Sequence, residues 1–173
     1  MLMKIAGGML VLIASSGIGQ TIGKNQEILV RELAELLSML RLIKSELRYA
    51  INELPEAFAD MAPRLKGSIG ELCSNMAQLL ANGYALSFQE AWDISMQKLR
   101  EESRLGKGHL SYVEKLGGIL GHMDVDAQIA QLELLENAMI HEYESEREKT
   151  GQIKKLAGSI GILGGLFLII IML

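Results

Sequence analysis

The stretch DVDAQIAQLELLENAMIHEYESEREKTGQIKKLAGSIGILGGLFLIIIML, Asp124–Leu173, decides how the rest of the chain is read. As far as Lys155 it is rich in charge, and Val125, Ile129, Leu132, Leu135, Met139 and Tyr143 recur at the spacing of an amphipathic helix. From Leu156 to Leu173 it holds no charged residue. No proline separates the two parts, so one helix is predicted to pass from polar into apolar sequence. At 1.5 Å per residue the uncharged part extends roughly 27 Å, close to the ~30 Å hydrocarbon core of a bilayer.

The other end has the same character. Met3 to Ile22 is interrupted only by Lys4 and by the uncharged polar residues Ser15, Ser16, Gln20 and Thr21. Lys4, the apolar run Ile5–Ile13 and Ala14-Ser15-Ser16 also fit a secretory signal. Against cleavage, apolar residues resume at Ile18 and Ile22, and Lys24 and Arg31 follow, charges that favour retention on the cytoplasmic side. The chain is therefore divided into an N-terminal transmembrane segment, 1–23, a helical bundle, 24–155, and a C-terminal transmembrane segment, 156–173. Lys24, Arg31, Arg147, Lys149, Lys154 and Lys155 place the bundle on the cytoplasmic side.

Between the two ends the fold class is all-α. Proline occurs only at Pro55 and Pro63, and Leu, Ala, Glu, Met and Lys dominate. Leu29, Leu33, Leu36, Leu40, Ile43, Leu47, Ala50 and Leu54 form a seam, widened by Leu37 and Ile51 into the face of a multi-helix bundle. Leu54-Pro55-Glu56-Ala57 ends that helix and opens the next, because proline suits a first helical turn. Ala57, Phe58, Met61 and Leu65 form its apolar face, which stops near Gly67. Ser68 to Asn82 is the third helix, with Gly83 as its left-handed terminator. Ser87 and Glu90 make a capping box for a fourth, burying Phe88, Ala91, Trp92, Met96 and Leu99. His109–Leu120 is a fifth, stopped by Gly121, and Asp124 caps the sixth. Glu142, Glu144, Glu146, Arg147, Glu148 and Lys149 read as that helix's solvated face.

Several kinds of chemistry are disfavoured. A formal net charge of −4 without a dense basic patch does not fit nucleic-acid binding. Gly17, Gly19, Gly23 and Lys24 imitate a phosphate loop, but Ile18 and Asn25 stand where the pattern needs Gly and Ser or Thr. Ser15, Gly19 and Gly23, and again Ala157, Gly161 and Gly165, instead form four-residue stripes suited to close helix contact in a bilayer. His122, Asp124 and Asp126 lack the remaining ligands of a calcium loop. Cys73, the single cysteine, sits in an apolar helical pattern and reads as a small core residue. No cofactor, metal or catalytic set is assigned.

The N-terminal anchor, Leu54-Pro55-Glu56-Ala57, and Leu116-Gly117-x-x-Leu120-Gly121-x-x-Asp124-x-x-x-Gln128 before a long helix with an apolar end resemble the stage III sporulation protein AB family of endospore-forming bacteria. The resemblance implies a non-enzymatic platform in the mother-cell membrane around the forespore, part of a secretion-like channel. It also implies a six-helix antiparallel domain similar to those of the type II secretion F protein. The expected partners are a secretion-type ATPase, resembling stage III sporulation protein AA, and other channel membrane proteins, with homo-oligomerisation left open. For Gln128 a buried hydrogen bond is expected. The competing reading is a membrane-tethered helical signal transducer, which a kinase, cyclase or receptor domain would favour and this sequence does not contain. An exported helical enzyme would require a cleaved signal and a polar pocket.

Overall fold

The computed structural model describes the backbone of residues 2–49, 53–81, 87–122 and 124–172, and the side chains of 23–49, 53–81, 87–121, 124–153, 155 and 156. Among these residues the secondary structure is helical throughout: α1 (Leu2–Tyr49), α2 (Leu54–Met61), a short 3-10 turn (Ala62–Arg64), α3 (Gly67–Ala81), α4 (Phe88–Glu102), α5 (Lys107–His122) and α6 (Val125–Met172). The chain divides into two compact units. One is Leu29–Tyr143; the other combines Met1–Ile28 with Glu144–Leu173. α1 and α6, each 48 residues long, contribute to both.

The core lies within the unit Leu29–Tyr143. Leu33, Leu36, Leu37, Leu40 and Ile43 of α1 are buried as the seam predicts, and Met39 joins them at 0% exposure. Opposite them pack Phe58, Met61, Ile69, Leu72, Cys73 and Met76, then Trp92, Met96 and Leu99, then Val113 and Leu116, and finally Leu132, Leu135 and Met139 of α6. Burying an aliphatic or aromatic side chain of this size contributes about 1.5–3 kcal/mol, which is why short helices such as α2 hold their place. Leu29, Leu47 and Tyr143 pack only partly against this core.

Local signals explain most of the helix ends. Pro55 lies in the first turn of α2. The capping box at α4 is present: Glu90 N–H donates to Ser87 Oγ at 3.2 Å, and Ser87 N–H donates to Glu90 Oε2 at 2.8 Å. The Ser87 N–H and the Ser87 hydroxyl, both donating to that carboxylate, hold the Glu90 carboxyl below its usual value. Gln128 N–H donates to the Asp124 carbonyl, which places Asp124 at the N-cap position of α6.

Other expectations are corrected. α2 stops at Met61, not near Gly67, because Pro63 turns the chain into the 3-10 element. Gly67 instead begins α3 with a φ of 59°, the left-handed region that a side chain disfavours. Gly121 is not a helix stop, since α5 continues through His122. Leu54 and Val125 are 36% and 46% exposed, because each occupies the first position of a helix beyond the packed face. Ala50, Ile51 and Gly83 lie outside the described residues.

Within the unit Leu29–Tyr143, α1 and α6 run antiparallel, joined by charge. Glu136 accepts from Arg41 Nε at 2.7 Å and from Lys44 Nζ at 2.6 Å, and Arg48 reaches Glu133 at 3.3 Å. In the other unit Glu146 is buried, not solvated as its polar neighbours imply. Its carboxylate accepts from Gln26 Nε2 and Lys149 Nζ, and its carbonyl from Thr150 Oγ1. These donors compensate for its loss of water.

Among the described residues no helix is long and apolar enough to cross a membrane. The side chains of Ser15, Gly19, Ala157, Gly161 and Gly165 lie outside those described. Gly23, the remaining member of the stripes, has open space around the position of a Cβ.

Candidate functional site

The Leu116–Gln128 motif is a packing device at one end of the unit Leu29–Tyr143. Leu116 and Leu120 enter the core on one face of α5, and Gly117 and Gly121 leave room between α5 and α4. A Cβ built at Gly117 would lie 2.2 Å from Trp92 Nε1, so the indole rests directly against the helix backbone. At Gly121 the corresponding atom would meet Phe88 Cδ1 at 3.4 Å. Phe88 and Trp92 stack with centroids 5.7 Å apart, and Phe58 of α2 completes the cluster at 6.4 Å from Trp92. Three helices therefore meet on one indole.

Gln128 joins the last two helices. It is buried, and its Nε2 donates to the carbonyls of Ile119 and Leu120, each at 3.2 Å. These belong to the final turn of α5, whose carbonyls have no partner further along the helix. The expected buried hydrogen bond is thus a side-chain cap on one helix supplied by the next. Of the Leu54–Ala57 group, only Ala57 is buried; Glu56 is exposed and Pro55 half-buried.

Surface residues at this end have a distinct chemistry. Tyr49 is 79% exposed and, with Leu54 and Val125, forms a set of uncovered apolar groups where α1 ends and α2 and α6 begin. Glu53, Glu56, Asp124 and Asp126 are exposed among them. The arrangement presents carboxylates and apolar side chains, with the Arg48–Glu133 ion pair beside them.

The opposite end is organised by two acids of α1 that the sequence does not single out. Glu32 accepts from Ser68 Oγ at 3.1 Å and from Arg104 N–H at 2.7 Å, while Glu35 accepts from Lys66 N–H at 3.1 Å. Nearby, His109 Nδ1 accepts from Gly106 N–H, which leaves Nε2 to donate to Glu142 Oε1 at 3.1 Å. Such contacts between acids and backbone groups far apart in sequence leave no periodic trace. Cys73 is a core residue: burial pushes its thiol up to about 12, and Sγ lies 3.5 Å from Met39 Sδ. A thiol held in this form is a poor nucleophile.

These features define a helical-bundle protein whose signature residues fit helices to one another. Residues 4–173 match the family model for stage III sporulation protein AB (spore_III_AB), and the chain belongs to that family of sporulation components. A solved structure of a stage III sporulation protein AB (SpoIIIAB) is similar in fold, with a TM-score of 0.66 at 21% identity, covering 72% of this chain and 97% of that one. No curated protein sequence matches the chain.

Proposed function

We propose that this protein is a non-enzymatic membrane platform of a sporulation channel between mother cell and forespore. In this reading both apolar ends are embedded in the mother-cell membrane, and the helical unit stands on its cytoplasmic side. The observation that carries the proposal is the span of the family match, residues 4–173, which takes in both apolar ends together with the bundle. The domain's likeness to those of the type II secretion F protein, drawn from the family resemblance, supports a secretion-type ATPase and sister channel proteins as partners.

The docking surface in this reading is the end bearing Tyr49, Leu54 and Val125, where exposed apolar groups lie among carboxylates. Apolar anchors surrounded by charge are the common composition of a protein contact. The test is co-purification of the stage III sporulation protein AA-like ATPase with the full-length chain from sporulating cells. Tyr49→Ala with Val125→Ser is expected to lose the ATPase at unchanged melting temperature, whereas Ile94→Ser, exposed elsewhere, retains it. Equal recovery with all three chains contradicts this docking surface, and no recovery with the unaltered chain contradicts the platform itself. Within the bilayer, Gly161→Leu with Gly165→Leu is expected to impair channel assembly without unfolding the bundle, because bulk at these positions blocks close helix contact.

A further inference from the structure

The unit Leu29–Tyr143 has two electrostatically different ends. At the end with Tyr49, the exposed charges named above are acidic, and Arg48 is paired with Glu133. At the other end, Arg64 and Lys66 lie between the 3-10 turn and α3, and Arg104 and Lys107 lie between α4 and α5. All four are exposed, and among the described residues none has a carboxylate within ion-pair distance. Glu32 holds the two loops together through Ser68 and Arg104.

The acids nearest these cations are largely engaged. Glu32 and Glu35 are half-buried and directed at backbone N–H groups. Glu102 is engaged with Glu71 and Lys98; desolvation and the shared hydrogen bond with Glu71 raise its carboxyl. Glu101 and Asp60, the latter four residues before Arg64, are exposed acids without a described partner. The four exposed cations Arg64, Lys66, Arg104 and Lys107 therefore outnumber these two acids at this end.

We infer that this end is a basic face for the anionic headgroups of phospholipids, formed by Arg64, Lys66, Arg104 and Lys107. The inference rests on the membrane reading above. Charge complementarity supplies the chemistry, and chain length supplies the reach. Glu32 lies nine positions beyond Gly23 along α1, a path of at most about 14 Å. The headgroup layer occupies roughly 6 Å beyond the hydrocarbon. The remaining gap is near the Debye length of about 8–10 Å at physiological salt, and Arg and Lys side chains bridge much of it. An anionic bilayer would draw this face down, direct the acidic end away from the membrane and leave it open to protein partners.

The test uses the full-length chain in nanodiscs, labelled with a fluorophore at Gly108→Cys, an exposed position in the first turn of α5 with open space around it. Native Cys73 is buried and does not compete for the label. Quenching is measured with a nitroxide on the headgroup of phosphatidylcholine, with and without about 30 mol% phosphatidylglycerol. Quenching is expected to be several-fold greater in the anionic discs, to fall at about 0.5 M NaCl, and to disappear in the quadruple variant R64Q/K66Q/R104Q/K107Q at unchanged melting temperature. Equal quenching in the two lipids, with the chain still resistant to carbonate extraction, would overturn this inference alone and direct the face to an acidic protein. Extraction of the chain by carbonate would overturn the membrane reading and the inference together.

Discussion

Gly117 and Trp92 are placed so that the glycine's missing side chain is the indole's seat: a Cβ would stand 2.2 Å from Nε1 and 2.5 Å from Cδ1. Trp92 is 1% exposed, and its N–H has no acceptor among the described atoms. The close approach of α4 to α5 at this point thus rests on shape without help from a hydrogen bond. Gly117→Ala is expected to destabilise by about 2 kcal/mol, because overpacking outweighs the roughly 1 kcal/mol that alanine gains in a helix. Gly118→Ala, on the open side of the same turn, should stabilise by about 0.5–1 kcal/mol. Chemical unfolding of the two variants in detergent checks the opposite signs.

A second prediction concerns Gln128, where size and hydrogen bonding can be separated. Gln128→Glu keeps the volume but removes the donor, and it sets a buried carboxyl against the carbonyls of Ile119 and Leu120. A loss of about 2–3 kcal/mol is expected at neutral pH, larger than for Gln128→Ala, with partial recovery in acid as the carboxyl regains a proton to donate. Urea midpoints at two pH values provide the comparison. Equal loss for both variants at both pH values would show that packing alone matters here.

The third prediction follows from Glu136. Burial works to raise its carboxyl, but the hydrogen bonds and charges of Arg41 and Lys44 outweigh it, and the group lies below its ordinary 4.5. A carboxyl lowered by folding stabilises the protein above its unfolded value, and that contribution is lost as the pH falls through the folded one. Glu136→Gln should therefore cost about 0.5–1 kcal/mol near pH 7, and the gap to the unaltered chain should close in acid. Melting temperatures measured across the acid range would show that convergence.

The sequence was most legible where periodicity and local capping act alone. The α1 seam, Pro55 at the start of α2 and the Ser87–Glu90 box are all observed at the residues that predicted them. It was least legible where a residue's role depends on a partner from elsewhere in the chain. Gly121 read as a terminator because its spacing fits one; the ring of Phe88 beside it, 33 residues away by number, is visible only after folding. Glu146 reads as solvated from its polar neighbours, whereas it is buried and accepts a hydrogen bond from the distant Gln26. Glu32 and Glu35 gave no signal, because a carboxylate that ties down a loop is indistinguishable in sequence from one on a surface.

In the proposed function both ends hold the helical unit at the cytoplasmic face of a membrane. Protease accessibility in sealed, right-side-out protoplasts of vegetative cells made to express the chain, where the plasma membrane is the one it would enter, is the test. The exposed Arg48, Arg64, Lys66, Arg104 and Lys107 give trypsin ample sites. The chain is expected to stay intact until the membrane is permeabilised and then to be cut within 24–155. Cleavage in that region while the protoplasts remain sealed would contradict this reading.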